Sequence, residues 1–169
     1  MTCRSDKYIC AIDPGNEQSA YVLCSPDLRP LSFTKAENEL MYMHMCDALA
    51  TLDPGAEVVF AIEMIASYGM PVGAEVFDTC VWIGRLLERL RNCPVTLIYR
   101  KDEKLAICGS PRATDATIRQ ALVDRFAPGE PNSGKGTKKK PGFFYGFRAD
   151  IWAAFAVAVT YWEITHAER

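Results

Sequence analysis

Hydrophobic positions along the chain come in short blocks whose spacing changes from strand-like to helical. Tyr8 to Ile12 is an apolar run that stops at Asp13, Pro14 and Gly15 force a turn, and Ala20 to Leu23 forms a second run. Leu31 to Thr34 reads as a third strand, bounded by Pro30 and by charged residues. From Asn38, a good N-cap, the pattern becomes helical through Leu52, with Leu40, Met41, Met43, Met45, Ala48 and Leu49 as the apolar stripe. Asp53-Pro54-Gly55 ends that helix and leads into Val58 to Ile62, another buried run, which is followed by Glu63. Ser67 to Gly73, holding Tyr68 and two glycines, reads as flexible. Ala74 to Arg91 predicts a strongly amphipathic helix with Val76, Phe77, Cys80, Val81, Gly84, Leu87 and Leu90 on one face. Trp82 and Leu86 lie off that face and predict a seam for a second copy of the chain.

Pro94 opens a strand from Val95 to Tyr99, followed by the charged Arg100 to Lys104 and a short helix or strand from Leu105 to Gly109. Thr114 or Asp115 starts a helix through Phe126, with Ile118, Leu122 and Val123 facing inward. Residues 127–147 are dense in Pro, Gly and Lys and keep no period, which predicts a mobile basic loop. The last helix, Asp150 to His166, is apolar on nearly every side at its start, as a helix lying against a sheet must be. Three consecutive strands, a helix, and then strands alternating with helices predict an α/β fold. Its mixed sheet would have the first strand in the centre, beside the strand that carries Glu63.

Composition narrows this picture only a little. At 169 residues with 49% hydrophobic positions the chain is long enough for one domain with a real core. A net charge of −2 gives no bulk sign of a nucleic-acid partner, so any such sign must come from where the charges sit. Seven cysteines (Cys3, Cys10, Cys24, Cys46, Cys80, Cys93, Cys108) form no CxxC pair, and with no signal peptide at the start they predict reduced thiols in a cytoplasm. His44 and Cys46 alone are a weak zinc pattern. The longest apolar stretch, Ile151 to Val159, is too short to cross a bilayer.

The candidate chemistry lies in three acids. Asp13 and Glu63 each end an apolar strand, and Asp150 opens the buried last helix. Taken singly, each has an ordinary structural role, as a turn residue or a helix-terminus acid. Three convergent carboxylates on apolar scaffolding are costly unless a cation neutralises them, and hard oxygen ligands favour Mg²⁺ or Mn²⁺ over zinc. Two such ions held by carboxylates are a known arrangement for cleaving phosphodiesters, one activating the attacking water and the other stabilising the leaving oxygen.

These residues resemble those of the RuvC-type Holliday junction resolvases of the ribonuclease H-like superfamily, of the divergent kind carried by bacteriophages. The likeness rests on IDPG (Ile12 to Gly15), AIE (Ala61 to Glu63), DIWAAFAVAVT (Asp150 to Thr160) and the segment from Cys108-Gly109 through Ala113 to Ile118. The resemblance implies a five-stranded mixed β-sheet flanked by α-helices. It also implies a homodimer, here through the Ala74–Arg91 helix, that nicks two strands of branched DNA using Mg²⁺, in the cytoplasm of a host cell if phage-encoded. On this resemblance Asp13, Glu63 and Asp150 are the catalytic and metal-binding residues.

Two positions depart from the family pattern. Ala153 stands where a second acid is usual one turn into the last helix, and Asp115 stands where a lysine is usual. The metal site is then either short of one ligand or completed by Asp115 or Glu17.

The basic residues fit a DNA partner by position. Lys135, Lys138, Lys139, Lys140 and Arg148 run directly into Asp150, while Arg100, Lys101, Lys104, Arg112 and Arg119 flank the preceding elements. Phe143, Phe144 and Tyr145 either stack on unpaired bases or anchor the loop to the core. The resemblance also implies an aromatic wedge at the branch point shortly after the strand-end glutamate, for which Tyr68 is the nearest candidate although its spacing differs. Two other readings remain open here: a junction-binding protein with weak or no cleavage, and a nuclease for RNA–DNA hybrids or flaps.

Overall fold

The computed structural model describes residues 7–167, so Cys3 lies outside the described residues. Strands β1 (Tyr8–Asp13), β2 (Gln18–Cys24), β3 (Pro30–Glu37), β4 (Val58–Met64) and β5 (Val95–Tyr99) form one mixed sheet in the order β3-β2-β1-β4-β5. β1 runs antiparallel to β2 and parallel to β4, so it is central and beside the Glu63 strand, as expected. The helices are α1 (Asn38–Leu49), α2 (Ala74–Arg89), α3 (Arg100–Cys108), α4 (Asp115–Phe126) and α5 (Ile151–Ala167).

Both faces of the sheet are covered at its central strands β1, β2 and β4, which is why these read as apolar runs. Successive side chains alternate between the faces. Cys10, Ile12, Tyr21, Leu23, Phe60 and Ile62 pack with Met41 and Met45 of α1 and with α2. Ile9, Ala11, Ala20, Val22, Val59 and Ala61 pack on the opposite face with α5. The small residues Ala11, Ala20 and Ala61 let α5, itself carrying Ala154, Ala156 and Ala158, lie close to the sheet. Because α5 crosses β1, β2 and β4 and is covered outside by α3 and α4, it is buried on nearly every side.

Several expectations are corrected. On α2 it is Trp82, Ile83, Leu86 and the following Leu90 that face the sheet, with Leu86 at 0% exposure, so Trp82 and Leu86 are core residues and no seam for a second copy. Two stripes at four-residue spacing compete on this helix. The one with the larger side chains removes more apolar surface from water when buried. Phe77 (62% exposed) and Val81 (60%) are left on the outer face. The charged residues Arg100 to Lys104 belong to α3, whose start is capped by Asp102 accepting from the Tyr99 amide at 3.2 Å. Asn38 does not cap α1 with its side chain; that side chain serves the β1–β2 turn instead. α5 begins at Ile151, one residue after Asp150.

Residues 127–147, expected to be mobile, contain no helix or named strand but are tied to the core. Phe144 and Phe147 are buried, and Phe144 lies 4.6 Å from Trp152 and 5.5 Å from Phe155 between ring centroids. The Glu130 carboxylate accepts from the Phe143 amide at 2.9 Å, and Thr137 and Lys140 close a turn through a 2.9 Å backbone bond. Of the two roles open to Phe143, Phe144 and Tyr145, anchoring fits the first two, while Tyr145 is exposed.

Candidate active site

Asp13 is the last residue of β1 and Glu63 the penultimate residue of β4. Ile12 pairs with Ile62 in the parallel ladder, so the two acids stand side by side at the C-terminal edge of the central strands. They continue the Ile9–Ala11 and Val59–Ala61 rows, which places both side chains on the α5 face. Their carboxyl groups face each other closely enough for each to act on the other's ionisation. Burial above all, and then the facing Glu63, push Asp13 up to about 9; burial also raises Glu63.

The turn after Asp13 is fixed by a small network. Gly15 donates to Ser19 Oγ (3.2 Å), which donates to Asn38 Oδ1 (2.6 Å), and Asn38 Nδ2 donates back to the Gly15 carbonyl (3.1 Å). Trp82 Nε1 donates to the same Ser19 oxygen at 3.0 Å. A Cβ at residue 15 would sit 2.3 Å from the Gln18 carbonyl oxygen, so only glycine fits this turn.

Asp150 is delivered from the other side. Ala149, with φ of 42°, turns the chain through the left-handed region just before α5, and the Asp150 carbonyl accepts the first helical bond from Ala154 (2.9 Å). The Asp150 carboxylate is ion-paired with Lys35 Nζ at 2.6 Å. Lys35 pairs with Ala20, which pairs with Asp13, so the lysine lies in the same row and on the same face as the first acid. Asp150 still raises the pKa of Asp13 and Glu63 through its charge. In this arrangement, however, no three His, Cys, Asp or Glu side chains among the described residues stand close enough together to hold a metal ion. The donor chemistry fits a hard divalent cation all the same. Asp13 and Glu63 offer only oxygens, and burial together with their mutual repulsion disfavours two bare carboxylates there, a cost that a cation would offset. His44 and Cys46 are exposed on α1 and form no such group either.

Beside these acids stands a charged trio that the sequence did not single out as a unit. Arg100 Nη1 pairs with Glu103 and Arg100 Nη2 pairs with Asp115. Glu103 is fully buried, and burial together with Glu63 raises it to about 8. Asp115 therefore faces an arginine and acts on Glu63 through its charge, while Glu17 is exposed on the β1–β2 turn. Ala153, in the place of the expected acid, lines a cleft of about 540 Å³ together with Arg100, Asp115, Arg119, Asp150 and Trp152. The Arg119 guanidinium lies 4.5 Å from the Trp152 ring centroid.

Among the other DNA-binding candidates, Lys101 and Lys104 are on α3 and Arg112 is exposed in the α3–α4 connection. Lys138, Lys139 and Lys140 are exposed at the tight turn, Lys135 is half-buried at its base, and Arg148 is exposed two residues before Asp150. Tyr68, 61% exposed with φ of 48°, sits in the loop after β4, on the edge where Glu63 lies.

No family model and no curated protein sequence matches this chain. Among solved structures it is similar to T. thermophilus RuvC in complex with a Holliday junction substrate, with a TM-score of 0.67 and 13% identity over 95% of this chain and 96% of that one. A second Thermus thermophilus RuvC structure matches with a TM-score of 0.61 and 14% identity over the same shares. The fold is that of RuvC. The ribonuclease H-like five-stranded mixed sheet expected from the sequence is thus present. At this level of identity the likeness concerns the path of the chain, and the site rests on the side chains described above. No helix among the described residues is long and apolar enough to cross a membrane.

Proposed function

We propose that the protein is a Mg²⁺-dependent endonuclease for branched DNA that nicks opposed strands of a four-way junction as a homodimer. The observation that carries this reading is the pair of carboxyls at the ends of β1 and β4, side by side on the face where Asp150 enters. Asp13 and Glu63 would hold the divalent ion, with Mn²⁺ as a substitute, and Asp150 would join them after leaving Lys35. When bound, two such ions supply an activated water and a stabilised leaving oxygen. This chain's own residues do the rest. Lys35 holds Asp150 in reserve, and the Ser19–Asn38 network keeps Asp13 at the strand edge. The exposed Lys138, Lys139 and Lys140, with Arg148, Arg112, Lys101 and Lys104, would offer phosphate contacts. Tyr68 stands where a ring can stack at an opened branch point.

The RuvC solved with a Holliday junction supports branched DNA as the partner. For the dimer, α2 remains the candidate element, now through Phe77 and Val81, its exposed apolar residues. A second reading, a junction binder with weak or no cleavage, is favoured by one feature: Ala153 adds no carboxylate and Asp150 is engaged with Lys35. Incubating four-way, flap, hybrid and linear substrates side by side with Mg²⁺ and with Mn²⁺ tests both readings. Nicks confined to the junction support the first, retardation without nicks supports the second, and equal cutting of the hybrid would make it a ribonuclease H-type enzyme.

A further inference from the structure

Arg100 and Glu103 form an arrangement that packing alone does not explain. Glu103 is at 0% exposure, one of its oxygens is held only by Arg100, and the other, Oε1, is buried without a hydrogen-bond partner. Burying a carboxylate in this half-satisfied state is costly, and an apolar residue would fill the same position at lower cost. What the acid does accomplish is orientation. It fixes one nitrogen of the Arg100 guanidinium from beneath, while the second nitrogen points to Asp115, whose side chain is 88% exposed. An ion pair with so exposed a partner is weak and easily exchanged. Arg100 also lines the cleft that holds Asp150 and Arg119, and its charge reaches Glu63.

We propose that Arg100 is a catalytic residue that contacts the scissile phosphate, and that Glu103 is the positioning residue that presents it. The proposal rests on the nuclease reading above. On binding, a non-bridging phosphate oxygen replaces Asp115 at the outer nitrogen, and the buried pairing with Glu103 persists. A guanidinium suits this exchange because its planar fork matches phosphate oxygens and its charge is permanent. In the hydrolysis a water oxygen bonds to phosphorus as the bond from phosphorus to the leaving sugar oxygen breaks. One water proton ends on that leaving hydroxyl and the other is released to solvent. Arg100 offsets the negative charge that grows on the phosphate oxygens as the two bonds exchange, and a donor placed this way contributes roughly 10²–10³ in kcat.

The test combines single-turnover and steady-state nicking of a labelled four-way junction with Mn²⁺ binding measured by calorimetry without DNA. The proteins are wild type, Arg100→Gln, Arg100→Lys and Glu103→Gln. The expected result is a kcat loss of roughly 10²–10³ for Arg100→Gln with KM within a few-fold of wild type, and partial recovery in Arg100→Lys. Glu103→Gln should lose about tenfold or more in kcat through the misdirected arginine, and the number of Mn²⁺ ions bound should be the same in all four proteins. Wild-type kcat in Arg100→Gln or in Glu103→Gln overturns the proposal. So does loss of a bound Mn²⁺ ion in Glu103→Gln, which would make Glu103 a metal ligand instead. Absence of nicking by the wild type overturns the nuclease reading itself, a failure distinct from these.

Discussion

Replacing Asp13 by Asn should stabilise the metal-free protein, and the gain should grow with pH. Asp13 is raised from an ordinary 3.8 to about 9, chiefly by burial and by the facing Glu63. A group whose folded pKa lies above its unfolded one contributes stability that is fully present below the unfolded value and is lost as pH rises through the folded value. For Asp13 the window therefore runs from about pH 4 to about pH 9. At pH 7.5 the unfolded carboxylate is ionised while the folded one still holds its proton. Each intervening unit is worth about 1.4 kcal/mol, so the upper bound is about 5 kcal/mol. The strand edge is only half-buried, so water and relaxation reduce this to about 2–3 kcal/mol. Asn does not titrate, so it removes this pH-dependent cost. Glu63 and Glu103 are raised in the same sense, so the informative quantity is the difference between the two proteins. Denaturant unfolding in chelator from pH 4.5 to 8.5 should show wild type losing about 2–3 kcal/mol more than Asp13→Asn. Mn²⁺ added at pH 8 should restore wild type and leave the variant unmoved. Parallel pH curves for the two proteins, or an Asn variant that is less stable throughout, would refute the reasoning.

The anchored loop gives a second expectation: Phe144→Ala should cost about 3–5 kcal/mol in unfolding experiments and expose residues 127–147 to hydrogen exchange, where a truly loose loop would show neither effect. On α2, Leu86→Glu should prevent folding because that position is core, whereas Val81→Glu should leave circular dichroism unchanged and convert a dimer to a monomer in sedimentation. Changing Lys138, Lys139 and Lys140 together to Gln should reduce the slope of log affinity against log salt by about 0.9 for each phosphate that is no longer neutralised. The weakening should be alike on branched and linear DNA, and an unchanged slope would leave the lysines as a solvated turn.

The sheet could be read from the sequence because its strands carry their own punctuation. Asp13-Pro14-Gly15 and Asp53-Pro54-Gly55 mark turns, and the central strands are buried on both faces, so their apolar runs are unbroken. The same runs ending in Asp13 and Glu63 pointed to the edge where the structure brings the two acids together. Other features depend on packing between distant segments. The burial of Trp82 and Leu86 is not legible in the sequence because α2 offers two apolar stripes, and only the sheet beneath decides which is buried. Phe144 and Phe147 were hidden in a stretch rich in Gly, Pro and Lys, where no period marks an anchor. Glu103 lay within the charged run Arg100 to Lys104, and nothing local distinguishes a buried glutamate there from a solvated one. Lys35 could be linked to Asp150 only through the β1–β2–β3 register, which a sequence does not state.

The most direct test of the central claim uses a four-way junction labelled on each strand in turn, incubated with Mg²⁺ and either wild type or Asp150→Asn. If Asp13, Glu63 and Asp150 form one divalent-ion site, wild type nicks two opposed strands at matching positions, while Asp150→Asn binds the junction and leaves all four strands whole. A bound but intact junction with wild type in both Mg²⁺ and Mn²⁺, or wild-type nicking by Asp150→Asn, would contradict the account.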